Sequence, residues 1–165
     1  MEFKIYSMIE MIENARTIRD NHIVIRIGEI AGYIQFPLSY NDQRLSELEI
    51  LCDDVEKECK GMKLFSQHNA ESIKAFVEKW YRKYHNDLLI ICHCVAGISR
   101  SAGCIAALSR VYIGDDSWVW NNDQYVPNTM IYERILEVYR IPLPEDYAHI
   151  VHDSMMRNYI QSYEE

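Results

Sequence analysis

A cysteine and an arginine six positions apart, Cys94 and Arg100, are the pair in this chain whose types and spacing best suit chemistry. Between them lie Val95, Ala96, Gly97, Ile98 and Ser99, and before them runs the apolar stretch Leu88–Cys92. The segment LLIICHCVAGISRS therefore predicts a buried strand, a tight loop and a helix starting at Ser99 or Arg100. A helix start offers backbone N–H groups with no partner inside the helix, and the helix dipole adds partial positive charge there. A loop wrapped around that point directs several N–H groups at one anion. Five intervening residues let both ends of the loop meet the same phosphate. Cys94 would lie below the phosphorus as a nucleophile, and Arg100 would fork two equatorial oxygens. The cradle, the helix end and the guanidinium all favour the thiolate over the thiol.

The elements that must position this loop are legible as an alternation of strands and helices. Phe3–Met8 and His22–Ile27 predict short strands; HIVIRI alternates apolar and charged residues and is rich in β-branched side chains. Ile9–Arg16 between them suits a short helix. Gly28 to Asp42 is loop-like, with Gly28, Gly32 and Pro37 as breakers. Leu48–Leu51 predicts a third strand, and residues 55–65 a connecting loop. Ser66 is placed to cap a helix running to about Tyr84, with Ala70, Ile73, Val77, Trp80 and Tyr84 on one face. The uninterrupted apolar run 88–92 suits a central strand covered on both sides. The helix after the loop ends at Gly114, and residues 115–127 read as irregular. Thr129–Tyr139 predicts a helix with Ile131, Ile135 and Val138 inward. Pro142 and Pro144 break the chain, and Glu145 to about Tyr163 forms a last helix with Tyr147, Val151, Met155 and Tyr159 at i, i+4 spacing. The expected fold is α/β: one domain over residues 1–165, with a central sheet flanked by helices on both faces.

HCVAGISRS, nine consecutive residues, closely resembles the HCxxGxSRS signature of cysteine-based protein phosphatases in their dual-specificity form. LEILCDDV at 48–55, the stretch Phe65–Trp80, the loop itself, and Pro127-Asn128 with Tyr132 extend the resemblance to small microbial and phage tyrosine-phosphatase-like proteins, over roughly residues 20–140. The resemblance implies that Cys94 forms a phosphocysteine and that Arg100 binds ground and transition states. Ser101 would donate to the thiolate, and Val95 to Ser99 would contribute mainly backbone N–H groups. His93 would position the loop and tune Cys94. It implies no metal or cofactor. Against these stand plainer readings: His93 as a satisfied structural histidine, Ser101 as a helix-start residue, and Cys92 and Cys104 as core residues.

Breaking a phosphate ester also needs a proton for the leaving oxygen. The family resemblance implies an aspartate on a movable loop, at the position of Asp53-Asp54; Asp54 is the first choice, Asp53 the second and Asp42 a distant third. Asn128 either caps the 129–139 helix or steers the hydrolytic water. Cys52, beside the acids, is a candidate resolving thiol. Val95, Ala96 and Ile98 stand where lysines would suggest phosphoinositides, and Cys94 is mid-chain, unlike its place in the low-molecular-weight phosphatases. The expected substrate is a phosphorylated protein carrying phosphotyrosine, with phosphoserine and phosphothreonine as further candidates. The competing readings are a phosphate-binding module without efficient turnover, and arsenate reduction or sulfur transfer on a similar loop.

Composition limits the rest. The 165 residues carry a formal charge of −8, which argues against a nucleic-acid surface but permits a locally positive pocket. Five cysteines, Cys52, Cys59, Cys92, Cys94 and Cys104, form no disulfide framework and suit a reducing compartment. The N-terminus lacks a basic start and carries acids within its apolar stretch, so a cytoplasmic protein without membrane partners is expected.

Overall fold

The computed structural model describes residues 1–29 and 36–164, with side chains to residue 160. Four strands, β1 (Glu2–Ser7), β2 (His22–Gly28), β3 (Arg44–Leu51) and β4 (Leu89–Cys94), pair in the order β1-β4-β2-β3, and every pairing is parallel. Among the described residues six α-helices and a 3-10 turn at His85–Asp87 complete the α/β fold: α1 (Met8–Asn14), α2 (Gln67–Tyr84), α3 (Arg100–Ile113), α4 (Ser117–Trp120), α5 (Thr129–Tyr139) and α6 (Tyr147–Glu164). Among the described residues no helix is long and apolar enough to cross a membrane.

Side-chain alternation in the two central strands divides the core. Ile23, Ile25 and Ile27 of β2, with Ile90, Cys92 and Cys94 of β4, join the larger cluster, to which α2, α3 and α5 contribute. Val24, Leu89 and Ile91 point the other way, into a smaller cluster with Met11 and Ala15 at α1. Helices thus cover both faces, as a continuous apolar run in β4 requires. Connections in the two directions along a parallel sheet put their helices on opposite faces when each crossover is right-handed. The path from β1 past β4 to β2 carries α1, and the return from β3 past β2 to β4 carries α2. All strands end at one edge of the sheet, and β4 delivers Cys94 there between β1 and β2.

Local signals set the element ends. Ser66 caps α2 through a reciprocal capping box with Asn69, and Ser7 does the same for α1 with Glu10. Gly114, in the left-handed region at φ 75°, closes α3. From Arg100 to Ser109 every residue of α3 is buried, which its small apolar sequence permits.

Several expectations need adjusting. β3 starts at Arg44, four residues before the apolar stretch that suggested it. The segment 115–127 contains α4, whose Trp120 is buried; its Nε1–H and the Tyr132 hydroxyl both donate to the buried Asp116 carboxylate. On α6 the inward residues are Tyr147, Ile150, Val151 and Ser154, while Met155 and Tyr159 are exposed. An i, i+4 row drifts by about 40° per step around a helix of 3.6 residues per turn, so a row that starts inward at Tyr147 has left the core by Met155. Gly32 lies outside the described residues.

Candidate active site

β4 ends in Cys94, α3 begins at Arg100, and the loop between them is held from outside by backbone hydrogen bonds. The Val95 carbonyl accepts from Met8 N (3.1 Å), the Ile98 carbonyl from Val126 N (3.0 Å), and the Ser99 carbonyl from both Asn128 N (3.1 Å) and Gly103 N (2.8 Å). In a trans peptide the C=O of one residue and the N–H of the next point in opposite directions. Those outward carbonyls therefore turn the N–H groups of Ala96, Ser99 and Arg100 away from these neighbours. Gly97 N–H donates to Cys94 Sγ at 3.3 Å. Gly97 itself sits at φ +74°, and a Cβ there would lie 2.5 Å from Ser7 N and 2.8 Å from the Tyr6 carbonyl carbon. Only glycine lets the loop close against the end of β1.

Cys94 and Ser101 are both buried, with Sγ and Oγ 3.2 Å apart. When the sulfur is a thiolate the hydroxyl must donate, since a thiolate has no hydrogen to give. Arg100 is 3% exposed. One terminal nitrogen donates to the Cys52 carbonyl (3.0 Å) and the other reaches Glu29 Oε1 (3.4 Å). Its Nε is buried with no partner among the described residues. Cys52 and Cys92 are fully buried thiols; burial pushes Cys52 up to about 12, and burial, then Cys104, pushes Cys92 well above the ordinary thiol range. Both therefore stay protonated near neutrality and do not compete as nucleophiles.

The two adjacent aspartates have different surroundings. Asp54 Oδ1 accepts from Ser99 Oγ at 2.8 Å and from Asn128 Nδ2 at 2.9 Å, which places the carboxylate against the loop. Asp53 turns the other way: its Oδ2 accepts from Lys63 N at 2.6 Å, and its own N–H donates to the Lys63 carbonyl at 2.8 Å, closing the loop after β3. Asp42 precedes the start of β3, at the opposite end of the sheet from Cys94, and is not part of this site. A cleft of about 470 Å³ opens beside Asp54, Ser99 and Asn128, with Val126 and Met155 on its wall.

Asn128 serves two elements. Its Oδ1 caps α5 by accepting from Ile131 N (3.0 Å), and its Nδ2 holds Asp54. The approach depends on Gly103, where an added Cβ would lie 2.5 Å from the Asn128 carbonyl oxygen. Trp120 stacks edge-on against Tyr132 and Tyr147.

His93 is buried on the opposite face of β4 from Cys94, and Arg26 of β2 donates from Nε to His93 Nε2 at 3.2 Å. Burial, then the Arg26 charge, lowers the His93 ring to about 4. Arg26 and Glu29 escaped the sequence reading. The signal for Arg26 was a lone cation in an otherwise apolar strand; all seven β2 residues are buried, so the apparent alternation is not a solvent face. Glu29 carried no sequence signal. Among the described residues no group of three or more histidine, cysteine or acidic side chains could hold a metal. Compared with known proteins, the chain matches no family model and no curated sequence.

Proposed function

We propose that the protein is a cysteine-dependent phosphatase acting on phosphorylated proteins, with phosphotyrosine as its principal substrate. The observation that carries this reading is the pairing of a buried Cys94, which receives hydrogen bonds at its sulfur, with a buried Arg100 whose Nε–H has no partner among the described residues. A buried N–H left unmet costs about 1–3 kcal/mol, and an anion in the loop would remove that cost. Both features meet on one strand–loop–helix turn, with an aspartate held against it.

In the first step Cys94 Sγ attacks phosphorus and the P–O bond to the leaving group breaks. Asp54 gives its proton to the departing oxygen. Arg100 and the loop N–H groups balance the charge on the equatorial oxygens. In the second step Asp54, now a carboxylate, takes a proton from water; the water oxygen attacks phosphorus and the P–S bond breaks. Inorganic phosphate leaves, and Gly97 N–H and Ser101 stabilise the returning thiolate. Asp53, tied to Lys63, serves the loop rather than the reaction. His93, which accepts from Arg26, acts through position and not as an acid.

The test is hydrolysis of p-nitrophenyl phosphate by the wild type and by Cys94→Ser. We expect turnover in the wild type, trapping of a phosphocysteine on rapid acid quench, and loss of at least about 10³-fold in the variant, whose alcohol is a weak nucleophile without a dedicated base. Vanadate or phosphate binding without turnover in the wild type would instead establish a binding module.

A further inference from the structure

A polar row crosses the sheet beneath the loop, on the face away from Cys94. Tyr6 of β1 pairs in register with His93 of β4, His93 with Arg26 of β2, and Arg26 with Glu49 of β3. Arg26 is 4% exposed and uses all three guanidinium nitrogens: Nε to His93 Nε2 (3.2 Å), one terminal nitrogen to Glu47 (3.0 Å) with Glu49 at 3.8 Å, and the other to the Phe36 carbonyl (2.7 Å). A buried cation is costly unless paired. Here the pairing is met by β3, while one planar edge is directed at a neutral ring.

That edge has a strict consequence. Arginine can only donate, so His93 Nε2 must accept and the ring proton must sit on Nδ1. Nδ1 is buried with no hydrogen-bond partner among the described residues. The ring thus ties β2, through Arg26, to the residue of β4 that immediately precedes the nucleophile. Among the described residues around it, Tyr6 flanks it from β1, Glu47 and Glu49 are engaged by Arg26 or Arg44, and α1 brings the apolar Met11 and Ala15 to this face.

We infer that Arg26 is a positioning residue of the Cys94 site, holding His93 in its Nδ1–H tautomer and thereby fixing where β4 enters the phosphate loop. Its other terminal nitrogen also holds the Phe36 carbonyl. This inference rests on the phosphatase reading for its kinetic consequence and on geometry alone for the tautomer.

The experiment therefore has arms that separate the two. In the wild type, long-range ¹⁵N–¹H correlation spectra of the His93 ring should show the Nδ1–H tautomer, titrating near 4; an Nε2–H tautomer overturns the inference whatever the enzyme does. In Arg26→Met the ring should titrate at higher pH and lose its single tautomer. Alkylation of Cys94 by iodoacetamide at fixed pH should change by at least about threefold, and kcat on p-nitrophenyl phosphate should fall about 10–100-fold with KM within about threefold, as for a misplaced reacting group. Arg26→Lys, which keeps charge but not the planar fork, should recover only part of kcat. Wild-type alkylation and kcat in a folded Arg26→Met overturn the positioning role. If Arg26→Met does not fold, the wild-type tautomer and Arg26→Lys still decide. A wild type without turnover removes the phosphatase reading but leaves the tautomer and alkylation arms in force.

Discussion

Replacing Asp54 by Asn removes a proton carrier while leaving its anchors in place. Asp54 Oδ1 accepts from Ser99 Oγ at 2.8 Å and Asn128 Nδ2 at 2.9 Å. The amide oxygen of Asn can occupy the same position and keep both bonds, so stability should change by no more than about 0.5 kcal/mol, as for a substitution that leaves its contacts intact. The chemical cost is larger. Loss of a positioned general acid slows a reaction roughly 10²–10⁴-fold, about 2.7–5.5 kcal/mol of barrier at 1.36 kcal/mol per factor of ten. That loss should appear in full for a phosphotyrosine peptide, whose phenol leaves as a poor anion without a proton, because a tyrosine hydroxyl ionises only near about 10. For p-nitrophenyl phosphate, whose leaving group departs readily as an anion, the loss should stay below about tenfold. Steady-state kcat for both substrates, with thermal melts of each protein, measures this. Asp53→Asn is the internal control: tied to Lys63, it should alter loop stability and leave kcat within about threefold. A leaving-group-dependent loss in Asp53→Asn and not in Asp54→Asn would refute the assignment, and so would its absence from both.

Asn128→Ala should lower stability by about 0.5–2 kcal/mol through the lost α5 cap and also slow phosphotyrosine turnover, whereas Asn128→Ser, which can cap but is too short to hold Asp54, should recover stability without recovering rate; equal kinetics in both variants and the wild type would leave Asn128 a cap alone. Gly97→Ala combines a left-handed backbone cost with a collision against the backbone of Ser7, together about 2–5 kcal/mol, while Gly61→Ala, at φ +81° with nothing within 4 Å of its Cβ, should show only the first part, about 1–2 kcal/mol; equal melting losses for the two would contradict the close approach. His93 is held down to about 4 by burial and then Arg26, and burial, with a smaller push from Arg44, also lowers the buried His22. Because the unfolded chain takes up these protons near about 6.5 and the folded chain only lower, stability is fully present above that pH and falls as pH drops toward 4, by about 3 kcal/mol from His93. Urea midpoints at pH 7.5, 6 and 5 should decline accordingly, and a flat series would show that these rings are not held neutral.

The strand–loop–helix turn from Cys94 to Arg100, the alternation of strands and helices, and both ends of α2 and α5 were determined by the sequence alone, because each depends on contacts or side-chain period within a few residues. Ser66 caps Asn69 three positions on, Asn128 caps Ile131, and Gly97 supplies the left-handed turn wherever the chain goes afterwards. The apolar run before Cys94 announces a covered strand for the same reason: burial on two faces leaves no position for a polar side chain except one that is paired. What stayed open was settled by groups distant in sequence. Asp53 and Asp54 are adjacent and chemically identical; they differ because one meets Lys63, ten positions away, and the other meets Ser99 and Asn128, 45 and 74 positions away. His93 carries no local mark of its tautomer, which is set by Arg26 across 67 residues. The i, i+4 row on α6 does not disclose how much of the helix the core will cover, and the sheet's strand order, which puts Arg26 beside His93, is a property of crossovers rather than of any one strand. Short-range hydrogen bonding and side-chain period are encoded where they act, whereas the partners of a charged group are chosen by the packing of elements that meet only once the chain has folded.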